Sequence, residues 1–518
     1  VGVAGSSPPL VGGARWSSVS MLSAIFNRSP PVVQVDGTFP STQQLLDALP
    51  QAQGRQAIVT SRRRKKPRRP RWAPAKGGDE ALLVRRQLDE RPDIAARARL
   101  LGDSKRLLIV LVGLPARGKS IIAHKLDAFL NWRGWRTKAF SAGATRRRLQ
   151  GGEGSAASFF DSSSSSSHAA REQISLSVLQ EALAFFDDGG DIAIFDASNS
   201  SKSRRATLSR RVAEHGAASS QPIGIVFVES ILTSPTLLLA NMQAKVRASP
   251  DFYGHAGDEA AAMDDLKRRA VHYEASYQSL AEHEGAFIQL YDLSSKVVAS
   301  NVYGRMSSSV LPFLLALHFM PRPLAFVSVP ADGAPTFDLC AALARWASTH
   351  EGPLQVLSST HPAAIDAAAA VYDAKRRENA KYSEALPALG PPCHLVELQP
   401  SAVGADDRPP ATLDERRGGE SCADLVRRLE ASVLEIEKRL APILVVAHQA
   451  PCRALRAYLR GLPLAESMHA SSSDGARALA DGAGALLLLT PTAKTLGFAE
   501  SVVSLEGVGG SVPAGGGP

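Results

Sequence analysis

Apolar positions recur along the chain as short unbroken runs separated by stretches with helical spacing. Residues 107–112 (LLIVLV) form a run of six, the pattern of a strand buried on both faces. Over 121–130 the apolar residues Ile122, Leu126 and Phe129 return at helical intervals. The alternation continues with a short strand at 137–140 and a helix over 171–186 that carries Ile174, Val178, Leu179 and Leu183 on one face. A buried strand over 191–195 ends in Asp196, a basic helix covers 202–215, and a further strand covers 223–228. Such alternation predicts an α/β domain over 101–320, with a parallel sheet and helices on both faces. A second α/β pattern follows over 321–506, with strands at 324–329, 354–357 and 443–447, a helix at 338–348 and an amphipathic helix at 424–440. The Pro/Gly-rich stretch 386–419 resists assignment.

The flanks have a different character. Residues 1–100 are rich in Ser, Pro, Gly and Arg and read as a largely disordered tail, with one weak apolar patch at 43–49 that could form a short helix. Residues 507–518 read as a disordered Gly-rich tail, and six consecutive serines at 162–167 read as a flexible insertion.

The first strand leads directly into Gly113-Leu114-Pro115-Ala116-Arg117-Gly118-Lys119-Ser120, which fits G-x-x-x-x-G-K-[ST] at every fixed position. Strand, Gly-rich turn and helix are the context that a phosphate-binding loop requires. Gly113 and Gly118 let backbone N–H groups turn toward phosphate oxygens, and the helix adds its positive N-terminal end. Lys119 would reach the β- and γ-phosphates, and the Ser120 hydroxyl would ligate Mg²⁺. The bland alternative, an ordinary Gly-containing turn, has to explain four fixed positions in the right flanks.

Composition narrows the partners. The net charge of +9 is concentrated: residues 61–72 hold eight Lys or Arg and no acid. A solvated tail is the plain reading of that run, and the basic run at 62–71 also admits a nuclear fraction. The remainder is close to balanced, so nucleic acid is not an expected partner. Cys340, Cys393, Cys422 and Cys452 are far apart and form no C-x-x-C pair, which fits a reducing, cytoplasmic compartment and argues against a disulfide framework or zinc site. The longest apolar stretch, 310–320, is too short for a membrane span and contains Pro312 and His318, so no membrane is expected. Residues 1–15 lack the basic-then-apolar order of a signal peptide.

Two further features carry chemistry. Asp196 ends an apolar strand, where P-loop proteins hold Mg²⁺, although it could equally serve as a cap before the next helix. Arg146, Arg147, Arg171, Arg204, Arg205, Lys245 and Arg269 come from separate segments of one domain. If they converge, they form a site for an anionic acceptor, with arginine supplying forked donors to phosphate. Taken singly, each is more simply a surface basic residue.

At this point the residues resemble a known family. GLPARGKS at 113–120, the Asn131-Trp132 pair, FDASNSSKSRR at 195–205, Glu229-Ser230, Asn241, Ser249-Pro250-Asp251 and MDDLKRRAVHYEASYQ at 263–278 are similar in order and spacing to 6-phosphofructo-2-kinase/fructose-2,6-bisphosphatase. The resemblance implies transfer of the ATP γ-phosphoryl group to the 2-hydroxyl of fructose 6-phosphate, with Mg²⁺. It implies an ATP loop at Gly113 through Ser120, Asn241 near adenine, and Lys119, Asp196 and Lys245 as catalytic residues. Ser198 stands where the family's threonine lines the sugar site. The sugar-phosphate clamp carries over to Arg146, Arg147, Arg171, Arg269 and Tyr273. One departure lies in the sugar-side loop, where the family's Gly-Glu-Tyr-Arg-Arg is replaced by Gly143-Ala144-Thr145-Arg146-Arg147. Family members are often dimers, so the resemblance allows a homodimer, though no self-complementary patch argues for one.

The second domain resembles histidine phosphatases but departs at their defining motif. The family's Arg-His pair, which binds and accepts the phosphoryl group, is replaced here by Ser328-Val329. His448, in Val446-Ala447-His448, resembles the family's second histidine, and Gly419-Glu420-Ser421 also has a counterpart. A retained fold without phosphatase activity is therefore expected, with His361 a surface or turn histidine. Two other functions stay open: a P-loop kinase for another small phosphorylated acceptor, and a nucleotide-binding scaffold without turnover.

Overall fold

The computed structural model describes residues 106–149, 157–160, 164–219, 221–255, 258–292, 295–302, 304–318, 321–330, 338–350, 352–379, 392–399, 416–417, 420–468, 473–480, 484–492 and 497–505. The readings of 1–100, 43–49, 507–518 and most of 386–419 lie outside those residues.

The first sheet has the order β2-β3-β1-β4-β5-β6. Its strands are β1 (Arg106–Val112), β2 (Thr137–Ser141), β3 (Ile192–Asp196), β4 (Ile223–Ile231), β5 (Phe287–Tyr291) and β6 (Lys296–Ser300). The first five are parallel, and β6 runs antiparallel to β5 at the edge. The sheet is therefore mixed rather than purely parallel, because the turn at Asp292 sends the chain straight back beside β5 instead of through a crossover helix. The helices are α1 (Lys119–Trp132), α2 (Ala142–Leu149), α3 (Ser165–Asp187), α4 (Lys202–Ala218), α5 (Pro235–Ala248), α6 (Glu259–Glu274) and α7 (Arg305–Ala316).

Two sequence expectations change here. The stretch 143–147 is a helix rather than a loop, so the arginine spacing of α2 now follows a helical turn. The serine run enters structure earlier than expected: Ser164 caps α3 by accepting from the Ser167 backbone N–H, and Ser165, Ser166 and Ser167 form the first turn.

The second sheet has the order β14-β13-β7-β12-β8-β9. Its strands are β7 (Leu324–Ser328), β8 (Gln355–Ser359), β9 (Cys393–Leu395), β12 (Ile443–Ala447), β13 (Ala485–Pro491) and β14 (Phe498–Ser504); β10 (Arg416–Arg417) and β11 (Glu420–Ser421) form a separate two-stranded pair. β7, β12, β8 and β9 are parallel, while β13 and β14 are antiparallel additions. Its helices are α8 (Leu339–Ser348), α9 (Pro362–Asn379), α10 (Cys422–Lys438), α11 (Gln449–Arg460), α12 (Leu464–Ser467) and α13 (Asp474–Ala478).

β12 is buried along its whole length and β1 from Leu107 onward, which explains why these central strands carry unbroken apolar runs. One cluster of buried apolar side chains extends from β1 and α1 through α7 into α10 and α11, so the two sheets share a core. Among the described residues no helix is long and apolar enough to cross a membrane.

Candidate active site

The first sheet delivers its chemistry at the carboxyl ends of β1, β3 and β4, where ligands bind in such folds. Gly113 leaves β1 at φ 140°, and a side chain there would meet the Ser230 carbonyl oxygen at 2.7 Å. Gly118 caps α1 in the left-handed region at φ 83°, which glycine reaches without steric cost. Between them Ala116 also has a positive φ of 58°, a conformation costly for alanine. The loop is pinned from behind: the Gly113 N–H donates to the Ser198 carbonyl at 2.9 Å, and the Ser230 hydroxyl donates to the Arg117 carbonyl. Arg117 folds back to the Pro115 carbonyl at 3.1 Å, and Lys119 Nζ donates to the Leu114 carbonyl at 2.6 Å.

Lys119 is buried, and that desolvation, with Lys245 nearby, lowers its pKa to about 7 against an opposing pull from Asp196. Ser120 Oγ donates to Asp196 Oδ2 at 2.8 Å. Among the described residues no group of three or more His, Cys, Asp or Glu could hold a metal ion. A hydroxyl and a carboxylate at the mouth of a phosphate loop are nevertheless the hard oxygen donors that suit Mg²⁺, which completes its shell with phosphate oxygens and water. On α5, Asn241 Nδ2 is shielded from solvent and has no hydrogen-bond partner within the protein.

Beside the loop the arginines converge on one carboxylate. Asp251 Oδ1 accepts from Arg146 at 2.5 Å and Arg147 at 3.0 Å, while Oδ2 accepts from Arg269 at 3.1 Å. These residues come from α2, a short 3₁₀ turn (Pro250–His255) and α6. Asp251 is driven down to about 2: burial opposes its charge, but Arg146 and Arg147 outweigh it. Asp265 on α6 holds the second Arg269 nitrogen at 2.6 Å. Phe160 forms an aromatic floor, with Arg146 and Arg269 at 5.1 and 4.8 Å from its ring centroid and the Tyr273 ring at 5.8 Å. Arg171 reaches the same segment by donating to the Phe159 carbonyl at 3.1 Å.

Lys245 is within electrostatic reach of both groups. Its ammonium is lowered by desolvation, and it feels Asp251 and Asp196 as attractive charges and Arg269 and Arg146 as repulsive ones. Lys119, in turn, feels Lys245.

Arg204 and Arg205 do not join this cluster. Arg205 is buried in a bidentate pair with Glu284 and donates to the Asn199 and Gln278 carbonyls, while Arg204 pairs with Glu172. Glu229 is equally structural: its carboxylate accepts from Tyr277, Ser279, the Leu280 N–H and Gln289. The sequence reading gave no role to Phe160, and it treated Asp251 only as part of a motif. An acid between two basic segments was the available signal for Asp251, while nothing local distinguished Phe160.

The corresponding end of the second sheet is different. Val329 follows β7 fully buried, and its N–H donates to the Ala447 carbonyl at 2.8 Å. The Val329 carbonyl accepts from His448 Nδ1 at 3.0 Å, which leaves Nε2 to accept from the Ser359 hydroxyl at 3.3 Å. Burial pushes His448 down to about 4, so it is neutral at physiological pH. His361 sits, as expected, at a bend, just before α9 and partly exposed, and its ring stands perpendicular to His448 at 5.0 Å. Nearby Arg428 is bound by both oxygens of Glu420 and by the Glu397 carbonyl.

Fold and site together define an α/β P-loop protein of the kinase class, followed by a histidine-phosphatase-like sheet. Residues 98–321 match the family model for 6-phosphofructo-2-kinase, and residues 390–476 match that of the histidine phosphatase superfamily, branch 1. The chain is 31% identical over 388 residues to 6-phosphofructo-2-kinase/fructose-2,6-bisphosphatase of Caenorhabditis elegans, covering 69% of this chain and 82% of that protein. It is 30% identical over 386 residues to 6-phosphofructo-2-kinase/fructose-2,6-bisphosphatase 4 of Macaca fascicularis, covering 68% and 77%. For the Arabidopsis thaliana protein of the same name the identity is 28% over 396 residues, covering 70% of this chain but only 50% of that protein. The chain belongs to the 6-phosphofructo-2-kinase/fructose-2,6-bisphosphatase family and carries its kinase domain.

Proposed function

We propose that the chain transfers the γ-phosphoryl group of ATP to the 2-hydroxyl of fructose 6-phosphate, giving fructose 2,6-bisphosphate and ADP. The observation that carries this reading is the meeting of Arg146, Arg147 and Arg269 on one carboxylate, linked through Lys245 to the phosphate loop. A phosphate loop alone requires only a nucleotide; a second cationic pocket beside it supplies a place for a phosphorylated acceptor.

In this reading the Gly113–Ser120 backbone and Lys119 hold the ATP phosphates, and the unpartnered Asn241 amide meets an acceptor on adenine. Ser120 and Asp196 would hold Mg²⁺, which would supply positive charge to the phosphoryl oxygens. Arg146, Arg147, Arg171 and Arg269 hold the 6-phosphate, with Tyr273 and Ser198 along the sugar. Lys245, which feels the charges of both Asp251 and Asp196, would offset charge on the transferring group. The acceptor's contribution is mainly orientation: the arginines keep its hydroxyl in line with the γ-phosphorus.

The second domain is read as inactive toward fructose 2,6-bisphosphate. A valine side chain has no lone pair to accept a phosphoryl group, and His448 is committed to Val329 and Ser359. A reducing compartment such as the cytoplasm suits the four free cysteines.

The test is ADP release by the full chain with ATP–Mg²⁺ and a panel of acceptors: fructose 6-phosphate, glucose 6-phosphate, fructose 1-phosphate and fructose. Selective turnover of fructose 6-phosphate supports the reading. Preference for another phosphorylated acceptor would favour the alternative kinase, and turnover of none would leave a nucleotide-binding scaffold.

A further inference from the structure

Helix α1 has two ends with different attachments. Its first residues are Lys119 and Ser120 of the phosphate loop, whereas its far half is held by α7 and by the second domain. Phe129 stacks on Phe313 of α7 at 4.1 Å with an interplanar angle of 8°, and meets Tyr458 of α11 edge-on at 6.3 Å. Trp132 Nε1 donates to the Ala454 carbonyl of α11 at 2.8 Å. Lys125 pairs with Glu437 of α10 at 2.5 Å, and Arg133 pairs with Glu430 of the same helix at 2.8 Å.

Glu437 is the least expected of these groups. Its carboxylate is only 3% exposed, accepts from the Tyr458 hydroxyl at 2.8 Å and pairs with Lys125. Arg322, in the segment joining the domains, adds attraction, and its guanidinium donates to the Ile436 carbonyl. A buried carboxylate with cations from two other segments costs desolvation that an apolar contact would avoid, so it serves geometry better than it serves stability.

We propose that the phosphatase-like domain braces the phosphate-loop helix of the kinase, with Glu437 as the positioning residue. The proposal rests on the reading of Gly113–Ser120 as the nucleotide site. The mechanism is mechanical. An α-helix of 14 residues is a stiff rod, so tilting it at Lys125, Phe129 and Trp132 moves the opposite end. That end carries Lys119, Ser120 and the first N–H groups, whose register against Asp196 decides how well phosphate and Mg²⁺ are held. The second domain thus retains a role in the kinase reaction that its own missing nucleophile does not affect.

The experiment uses the full chain and measures ATP–Mg²⁺ affinity by direct binding, the KM for fructose 6-phosphate, and the melting temperature. Glu437→Gln leaves the partly buried Lys125 ammonium opposite a neutral amide, and about tenfold weaker ATP binding is expected, with the KM for the sugar within about twofold of wild type. Lys125→Met together with Glu437→Gln removes both charges, and recovery of most of the ATP affinity is expected. Trp132→Phe deletes one interdomain donor without touching charge, and about threefold weaker ATP binding is expected. Wild-type ATP affinity in Glu437→Gln and Trp132→Phe, with only the melting temperature lowered, overturns the proposal. A double variant as defective as Glu437→Gln also overturns it. Failure of the wild-type chain to bind ATP–Mg²⁺ sinks the nucleotide-site reading itself, which separates the two outcomes. If Glu437→Gln does not fold, Trp132→Phe and the double variant decide.

Discussion

Ser120 Oγ donates to Asp196 Oδ2 over 2.8 Å, joining the last residue of the phosphate loop to the end of the neighbouring strand β3. Parallel pairing of β1 with β3, which sets Val110 beside Phe195, brings them together across 76 residues of sequence. In the proposed reaction the pair would offer a hydroxyl and a carboxylate to Mg²⁺. Ser120→Ala and Asp196→Asn are each expected to lower kcat by roughly 10²-fold and to raise the Mg²⁺ concentration needed for half-maximal rate. Steady-state rates over a Mg²⁺ titration check this, and an unchanged Mg²⁺ dependence in both variants would refute the assignment.

Lys119 gives a pH signature. Desolvation holds its pKa at about 7 in the nucleotide-free protein, and a bound polyphosphate favours the charged form and raises it. Above pH 7 the free protein must therefore take up a proton on binding ATP, so affinity falls as pH rises, by up to about tenfold per unit. Calorimetry at pH 8 in buffers of different ionisation enthalpy should register uptake approaching one proton. Uptake of none, with affinity flat from pH 6.5 to 8.5, contradicts it.

Asp251 orders three arginines before any phosphate arrives. Asp251→Asn is expected to raise the KM for fructose 6-phosphate about tenfold with little change in the KM for ATP, because the forks lose their shared reference. Its folded pKa is lowered from 3.8 to about 2, so it contributes stability above pH 4 that is lost as pH falls from about 4 to 2. That contribution is roughly 2 kcal/mol. Chemical denaturation of wild type and variant at pH 6 and pH 3 measures it. A KM unchanged or lowered in Asp251→Asn would show that the carboxylate merely competes with substrate.

The second site should not hydrolyse fructose 2,6-bisphosphate. Val329 offers no nucleophile, and His448 is neutral above about pH 4 and engaged on both ring nitrogens. Incubation of the full chain with the bisphosphate, followed for release of inorganic phosphate, should match a protein-free control. Release above that control that survives Lys119→Met but disappears in His361→Ala would place a surrogate nucleophile at His361.

The local chemistry was legible because it is local. A strand, two glycines, a lysine and a serine within 14 residues leave little freedom, and β1, the loop and α1 follow from them. The arginines were recognisable as candidates, but their sorting was not. Arg205 and Arg269 look alike in sequence, yet Glu284 claims one and Asp251 and Asp265 share the other. That choice depends on segments meeting in three dimensions. The α2 helix escaped notice because Gly143 begins a stretch with three consecutive arginines and no apolar stripe. The interdomain brace was invisible for a related reason. Lys125 and Glu437 lie 312 residues apart, and nothing near either one in sequence points to the other.

The most direct measurement is identification of the product. The chain with ATP–Mg²⁺ and fructose 6-phosphate should yield an acid-labile bisphosphate that returns fructose 6-phosphate on mild acid treatment, as expected for a phosphoryl group on the anomeric oxygen. Lys119→Met should reduce its formation by at least about 10²-fold. Absence of that product from wild type, or equal amounts from wild type and Lys119→Met, would contradict the account.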